Sequence, residues 1–471
     1  MITNILFIVI DSFNENKFHG KERTCVTPNL DHMLAKGTYF KSTITAAPST
    51  LPSLCSIFTS KYPFECLLRD KKNFVLNGNL ENYVKILSNS GFTTNAIVPE
   101  LIEYSGIIND FNNITTYKSN STIHDGLGLI ISKQLNQKTN SPWFFYIHLM
   151  DLHGYKKFDE SNALKKFHDS KFGINKYEQM VSALDEWLGK IFDIVNLEET
   201  MIVLTADHGS EDANFTKELQ EYKQEIRNYK INPIIKTSTK FSNRIPRFLN
   251  PVKSKIKKKF IQKRSKVLSK RALEEIKEID NLHLNPHEKR IMKNAVQSNY
   301  GVFDDRLKVP LLFVGPNIPS GEIIHEQVRT IDIFPTIIEI LSLNKKIENR
   351  GTSLLPFMLG NDTNELPAFV ESATNHTDIE NSNVVGIRTS KYKYFRDRIN
   401  FEINQNLYDL QTDPLEENNI AQNNIDLVKT MENLLTETTG NSNFNIKENN
   451  DIFNQEEMEQ INAELKKLGY I

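Results

Sequence analysis

The 471-residue chain contains no run of about eighteen apolar residues, so nothing in it reads as a membrane-spanning helix. It has only three cysteines, Cys25, Cys55 and Cys66. They form no metal-spaced pair, and an odd number suits a reducing compartment better than a disulfide framework. Net charge is small, -2 at pH 7, and says little about partners. The apolar start MITNILFIVIDSF lacks a basic leading region and ends in a carboxylate rather than a small-residue cleavage site. It reads as a buried first strand, not a signal peptide. These absences set the expectation of a cytoplasmic protein.

Hydrophobic content of 39% and charged content of 25% match a globular chain long enough for one large α/β domain and a smaller one. The charge is unevenly spread. From Lys240 to Arg271 there are thirteen Lys or Arg and no Asp or Glu. A solvated helical face is the plain reading; a surface for anionic lipid or polymer comes second, and nucleic acid last.

Apolar β-rich runs occur at Asn4 to Ile10, Asn95 to Val98, Trp143 to Leu149 and Met201 to Thr205, separated by helical patterns such as LENYVKILSNSG. Strands alternating with helices imply a three-layer α/β sandwich around a mostly parallel sheet. After the basic segment the pattern resumes with VPLLFVGP and IDIFPTIIEILSL. From about Ala368 short strands (AFVES, VVGIRTS, KYKYF) precede a helical tail, which predicts a smaller C-terminal antiparallel sheet with helices. The expected organisation is a catalytic domain over 1–365, with a basic helical insertion at about 211–298, and a C-terminal subdomain over 366–471.

Sites in such sheets lie at the carboxyl ends of the strands. The first strand delivers Asp11, IVLTAD leads into Asp207 and His208, and FFYIHLMDLHG delivers His148, Asp151 and His153. Carboxylates with an imidazole suit a hard divalent cation, so Asp11, Asp207 and His208 form a candidate metal set. His148 alternates with Tyr146 and Met150, the pattern of a core histidine, and is a secondary candidate for catalysis. Asp151 could orient His153 or cap the following turn. Lys308, beside VPLLF, is either a surface residue or an anion contact.

The segments TPNLDHMLAKGTYF, APSTLPSLCSIFTSKYP, LTADHGSE, FDDRLKVPLLFVGP, VRTIDIFPTIIEIL, RTSKYKYF and LYDLQTDPLEENNIA run in an order that resembles the sulfatase family of the alkaline-phosphatase-like superfamily. In that family a CxPSR motif supplies the cysteine oxidised to formylglycine. Here Thr50, Leu51, Pro52, Ser53 and Leu54 stand at those positions, with Thr50 in place of the nucleophile and Leu54 in place of the arginine. Ser12 replaces the second of two adjacent aspartates, and VPEL stands where a Gly-Lys-Trp-His segment is expected.

Threonine at this position is similar to phosphoethanolamine and phosphoglycerol transferases. The resemblance implies one divalent metal (Mn, Ca or Mg, with zinc also open) held by Asp11, Thr50, Asp207 and His208. It also implies nucleophilic attack by Thr50 and a leaving-group or oxyanion role for His153. The expected function is a metal-dependent hydrolase or transferase of phosphate or sulfate esters. The alternatives are ordinary sulfuric ester hydrolysis and a non-catalytic binding protein using the basic segment. The expected substrate is an anionic ester, lipid-linked or polymeric, with residues 240–271 giving a peripheral contact at the inner membrane surface.

Overall fold

The computed structural model describes residues 4–21, 23–70, 73–137, 142–153, 158, 161–222, 274, 276–297, 301–343, 348–361, 364–373, 383–442, 444, 446–449, 452 and 455–468. The basic segment 240–271 and most of the expected insertion lie outside the described residues. The chain forms two compact units, Met1–Ala213 with Val302–Ile471, and Asn214–Gly301. Within the second, Phe215, Ile279, Ile291, Met292 and Val296 form a small core of their own.

The strands of the first unit are β1 (Asn4–Ile10), β2 (Gly37–Ile44), β3 (Leu67–Asp70), β4 (Asn73–Leu76), β5 (Thr93–Pro99), β6 (Asn113–Tyr117), β7 (Trp143–Leu149), β8 (Thr200–Thr205), β9 (Lys308–Val314), β10 (Glu322–Arg329), β11 (Ala368–Ala373), β12 (Asn383–Arg388), β13 (Tyr392–Asp397), β14 (Asn406–Asp409) and β15 (Lys447–Glu448). Eight of them make the central sheet, in the order β10-β2-β9-β8-β1-β7-β5-β6. Strand β9 pairs antiparallel with both its neighbours, and every other pairing in the sheet is parallel. Strands β11 to β14 form the smaller antiparallel sheet.

Both faces of the central sheet are buried, as parallel pairing with helical crossovers requires. On β1, Leu6, Ile8 and Ile10 face one core, which includes Met180, Leu184 and Leu188 of the helix Lys176–Phe192. Ile5, Phe7 and Val9 face the other, with Leu54, Ile57 and Phe58 of the helix Thr50–Thr59. That second face is rich in aromatics: Phe7, Phe58, Tyr146 and Phe334 pack together in edge-on, stacked and tilted pairs.

The helix in LENYVKILSNSG runs over Tyr83–Asn89, shorter than the apolar spacing suggests. Asn82 stops it at its start, because its side chain accepts from the Lys85 amide at 3.1 Å as an N-cap. Leu80 therefore lies outside the helix and still packs on the core.

The smaller sheet is held to the central one by ionic and amide contacts. Gln327 in β10 donates to the carbonyls of Leu366 and Arg388. Arg388 and Lys393, in β12 and β13, both meet Asp304, which begins the short helix before β9. The segment Asp304–Lys308 thus enters the central sheet with its first residue tied to the smaller one.

Candidate active site

Period-two alternation decides which side chains can meet at the end of the sheet. Phe7 and Val9 lead by parity to Asp11, Phe144 and Tyr146 to His148, and Met201 and Val203 to Asp207. All six of these apolar or aromatic predecessors lie in the core under the helix Thr50–Thr59. Asp11, His148 and Asp207 therefore emerge on that helix's side. The backbone N–H of Asp11 donates to Leu149 O at 2.8 Å, which extends the pairing of β1 with β7 to the site.

Thr50 is the first residue of its helix. Its hydroxyl donates to Asp11 Oδ2 at 3.0 Å and stands 3.3 Å from His208 Nε2. His208 Nδ1 lies 2.9 Å from Gly209 O, and a carbonyl can only accept, so Nδ1 carries the proton and Nε2 presents its lone pair to Thr50. Burial lowers the His208 imidazole to about 4, so it is neutral at pH 7. Gly209 itself has no room for a side chain, because a Cβ there would come within 2.4 Å of Asp305 O.

The carboxylates are held differently. Asp207 Oδ1 accepts from the backbone N–H groups of Ser12 and His208, while Oδ2 has no hydrogen-bond partner among the described residues. Asp11 Oδ1 accepts from Ser12 Oγ at 2.6 Å and lies 3.3 Å from His153 Nδ1. Ser12 adopts a left-handed backbone (φ 61°), and its carbonyl accepts from Tyr177 OH. Burial opposes ionisation of both acids. For Asp11 the imidazoles of His153 and His148 overcome it and hold the carboxyl well below its usual range. Asp207 is pushed up by burial and by the Asp11 charge.

Asp11, His148 and Asp207 each offer a ligand atom within 4.8 Å of the others. His148 is fully buried; its Nδ1 meets Tyr146 OH at 2.9 Å, and its Nε2 lies 3.9 Å from Asp11 Oδ2 without a hydrogen-bond partner among the described residues. Two buried acids with unpaired or neighbouring atoms directed at an unpaired imidazole nitrogen fit a divalent cation, since such groups are costly when left alone. Of the four residues expected to hold the metal, all sit in this cluster: Thr50 and His208 contact Asp11 Oδ2 or one another, and Asp207 adjoins both.

His153 is the open member of the group, with a side chain 20% exposed where Asp11 is fully enclosed. Asp151 is buried, and its Oδ1 accepts from the Ile123 amide at 2.9 Å, so it fixes the turn Ile123–Asp125. Lys308 pairs with Glu15 at 3.4 Å. Arg306 had no place in the sequence reading. Its Nη1 donates to Pro48 O, its Nε stands 3.4 Å from Glu211 Oε1, and its charge helps to depress His208. The signal was present in FDDRLK, but only the fold brings that segment against the loop before Thr50.

Thr50 and Leu54 stand at the positions of the motif cysteine and arginine of the family that the sequence resembles, and Cys55 follows them. Leu54 lies fully buried in the aromatic-rich core, and Cys55 is fully buried with its thiol pushed well above the usual range by desolvation. Neither can serve as an exposed nucleophile or anion contact.

The model of the family "Sulfatase" matches residues 3–343, and that of "N-sulphoglucosamine sulphohydrolase, C-terminal" matches residues 298–441. Arylsulfatase K of Gallus gallus is 25% identical over 155 residues, 32% of this chain and 29% of that protein. An ulvan-active sulfatase of Formosa agariphila is 28% identical over 160 residues, 28% of this chain and 32% of that protein. The alignments thus span about a third of these relatives' lengths. Among solved structures, the phosphonate monoester hydrolase of Agrobacterium radiobacter is similar with a TM-score of 0.64 at 14% identity, covering 93% of this chain and 96% of that one. A protein solved with its substrate D-glucosamine-2-N,6-O-disulfate has a TM-score of 0.62 at 15% identity, covering 94% and 99%. Both share the three-layer fold. With its first 343 residues matched almost throughout by the family's model, and its strand-end acids and the Asp-His-Gly turn in place, the chain belongs to the sulfatase family.

Proposed function

We propose that the protein is a metal-dependent ester hydrolase or transferase in which the Thr50 hydroxyl attacks a phosphate ester. The observation that carries this reading is the position of Thr50 Oγ1, 3.0 Å from Asp11 Oδ2 and 3.3 Å from His208 Nε2 at the start of a ten-residue helix. The helix dipole favours negative charge at that end. A divalent cation held by Asp11, Asp207 and neighbouring donors would make the Thr50 hydroxyl more acidic and neutralise the ester's non-bridging oxygens.

Thr50 enters the step as its alkoxide, its proton having gone to solvent, and its oxygen bonds to phosphorus. The bond from phosphorus to the alcohol oxygen breaks, and His153 supplies the proton with which the alcohol leaves. Water, or an acceptor alcohol in a transferase, then attacks the phospho-threonine and releases Thr50, giving its own proton to His153. Arg306 places a fixed positive charge near the entering anion.

Sulfate esters are the second reading, favoured by the family and by the names of the curated relatives. Threonine has no aldehyde hydrate with which to expel sulfate from the covalent intermediate, so phosphate is the better match to this nucleophile. Rapid quenching in acid after mixing with an aryl phosphate ester, followed by peptide mass spectrometry, should reveal phosphate on Thr50. Turnover without any adduct, undiminished in Thr50→Ala, would remove the proposal.

A further inference from the structure

We propose that His148 is a ligand of the site's divalent cation, with its Nε2 joining the carboxylates of Asp11 and Asp207, and that Tyr146 orients its ring. The inference rests on the metal dependence proposed above but not on the nature of the nucleophile. Its starting point is an imbalance in one side chain. A core histidine that serves only packing satisfies both ring nitrogens or leaves the free one toward water. His148 is fully buried, and only Nδ1 is used, by Tyr146 OH at 2.9 Å. Nε2 has no hydrogen-bond partner among the described residues.

Neither protonation state of Nε2 is comfortable in the cluster as it stands. With a proton, its best acceptor is Asp11 Oδ2 at 3.9 Å, beyond the 2.7–3.2 Å of a hydrogen bond. Without one, its lone pair faces carboxylate oxygens among fully buried side chains. A cation among the three groups resolves both problems and also engages Asp207 Oδ2, the other atom left unpaired there. Two-residue parity along β7 and β1 places His148 on the same side as Asp11, with His148 level with Val9 in the strand register.

Tyr146 supplies what a metal-bound imidazole needs from its other nitrogen, a hydrogen-bond partner that sets ring orientation and can accept the Nδ1 proton when Nε2 binds the metal. An imidazole in the set shifts preference from Mg²⁺ and Ca²⁺ toward Mn²⁺, Co²⁺ and Zn²⁺. The affinity order is therefore part of the proposal.

The test is Mn²⁺ binding to the full chain, followed by electron paramagnetic resonance, with electron spin-echo modulation to count directly bound nitrogen. His148→Gln should lose one coupled nitrogen relative to the native protein and weaken Mn²⁺ at least about 100-fold, while Ca²⁺ binding changes less. Tyr146→Phe keeps the ring in the core and should weaken Mn²⁺ by about 10- to 100-fold; it decides the matter if the glutamine variant does not fold. An unchanged nitrogen count in folded His148→Gln, an unchanged Mn²⁺ affinity in Tyr146→Phe, or Ca²⁺ preferred over Mn²⁺ by the native chain would overturn the proposal. No ester enters the experiment, so loss of the Thr50 mechanism would leave its outcome intact, and the reverse.

Discussion

Two buried clusters of charged side chains flank the segment FDDRLK, and they differ in how their atoms are satisfied. Around Asp304, Arg388 and Lys393 approach the carboxylate at 2.7 and 2.6 Å, and Lys393 also meets Glu416 at 2.7 Å. Glu416 in turn accepts from the Asp304 amide. Around Asp11, by contrast, His148 Nε2 and Asp207 Oδ2 have no hydrogen-bond partner, and no Lys or Arg ion pair to either acid occurs among the described residues. A closed ion cluster holds two sheets together; an open one stores unmet bonding capacity for something that is not protein.

The sharpest way to break this comparison is to neutralise one acid in each cluster. Asp207→Asn should reduce kcat/KM at least about 10³-fold, roughly 4 kcal/mol of transition-state stabilisation. Its metal-free melting temperature should stay level or rise, because Asn can keep the side-chain oxygen that accepts from the Ser12 and His208 amides while removing a buried acid that lies beside the Asp11 charge. Parallel ester assays and thermal melts in chelator check both halves.

Asp304→Asn should do the opposite, lowering stability by about 3–5 kcal/mol by leaving Arg388 and Lys393 uncompensated. Burial would raise the Asp304 carboxyl, but Arg388 and Lys393 hold it well below its usual range. Its contribution is thus complete above the unfolded value near pH 4 and is lost as pH falls through the lower folded value. Urea unfolding should show a native advantage over Asp304→Asn that is full at pH 7 and shrinks progressively below about pH 4. A constant difference across that range would argue that the pair is not ionic.

Within the open cluster, His153→Gln should cost about 10²-fold in turnover of esters with poor leaving groups and much less with nitrophenol, whose departure needs no proton. An equal loss on both would assign His153 to oxyanion binding. The smallest effect expected is from Arg306→Ala, a rise of about tenfold in KM with kcat nearly kept, measured by steady-state kinetics at low ionic strength.

Much of this architecture was legible in the sequence where burial is continuous. Strands β1 and β7 have the bounds that their apolar runs suggest, and VPLLFVGP and KYKYF contain most of β9 and most of β13. Strands β6 and β10 were not read, and both are edges of the central sheet. NITTY and EIIHEQVR are partly solvated there, so they carry polar residues that interrupt the apolar pattern. The reversal of β9 was equally invisible, since a strand's direction depends on its neighbours and not on its composition.

At the site, the resemblance pointed to Asp11, Thr50, Asp207 and His208, and the fold brings these four together. His148 shows the limit of periodicity. Alternation with Tyr146 correctly says that it faces inward, but what it faces there is set by β1 and β8, which are distant in sequence. Arg306 was hidden for the same reason, its partner Pro48 being far along the chain.

The central claim is the Thr50 nucleophile, and matched aryl esters test it most directly: a phosphomonoester, a phosphodiester, a phosphonate and a sulfate, each assayed with Mn²⁺ or Ca²⁺ on the native chain and on Thr50→Ala. The account predicts turnover of a phosphorus ester that falls at least about 10³-fold in the variant while metal binding and melting temperature remain close to native. Phosphorus-ester turnover that survives the substitution, or Thr50-dependent cleavage of the sulfate alone, would contradict it.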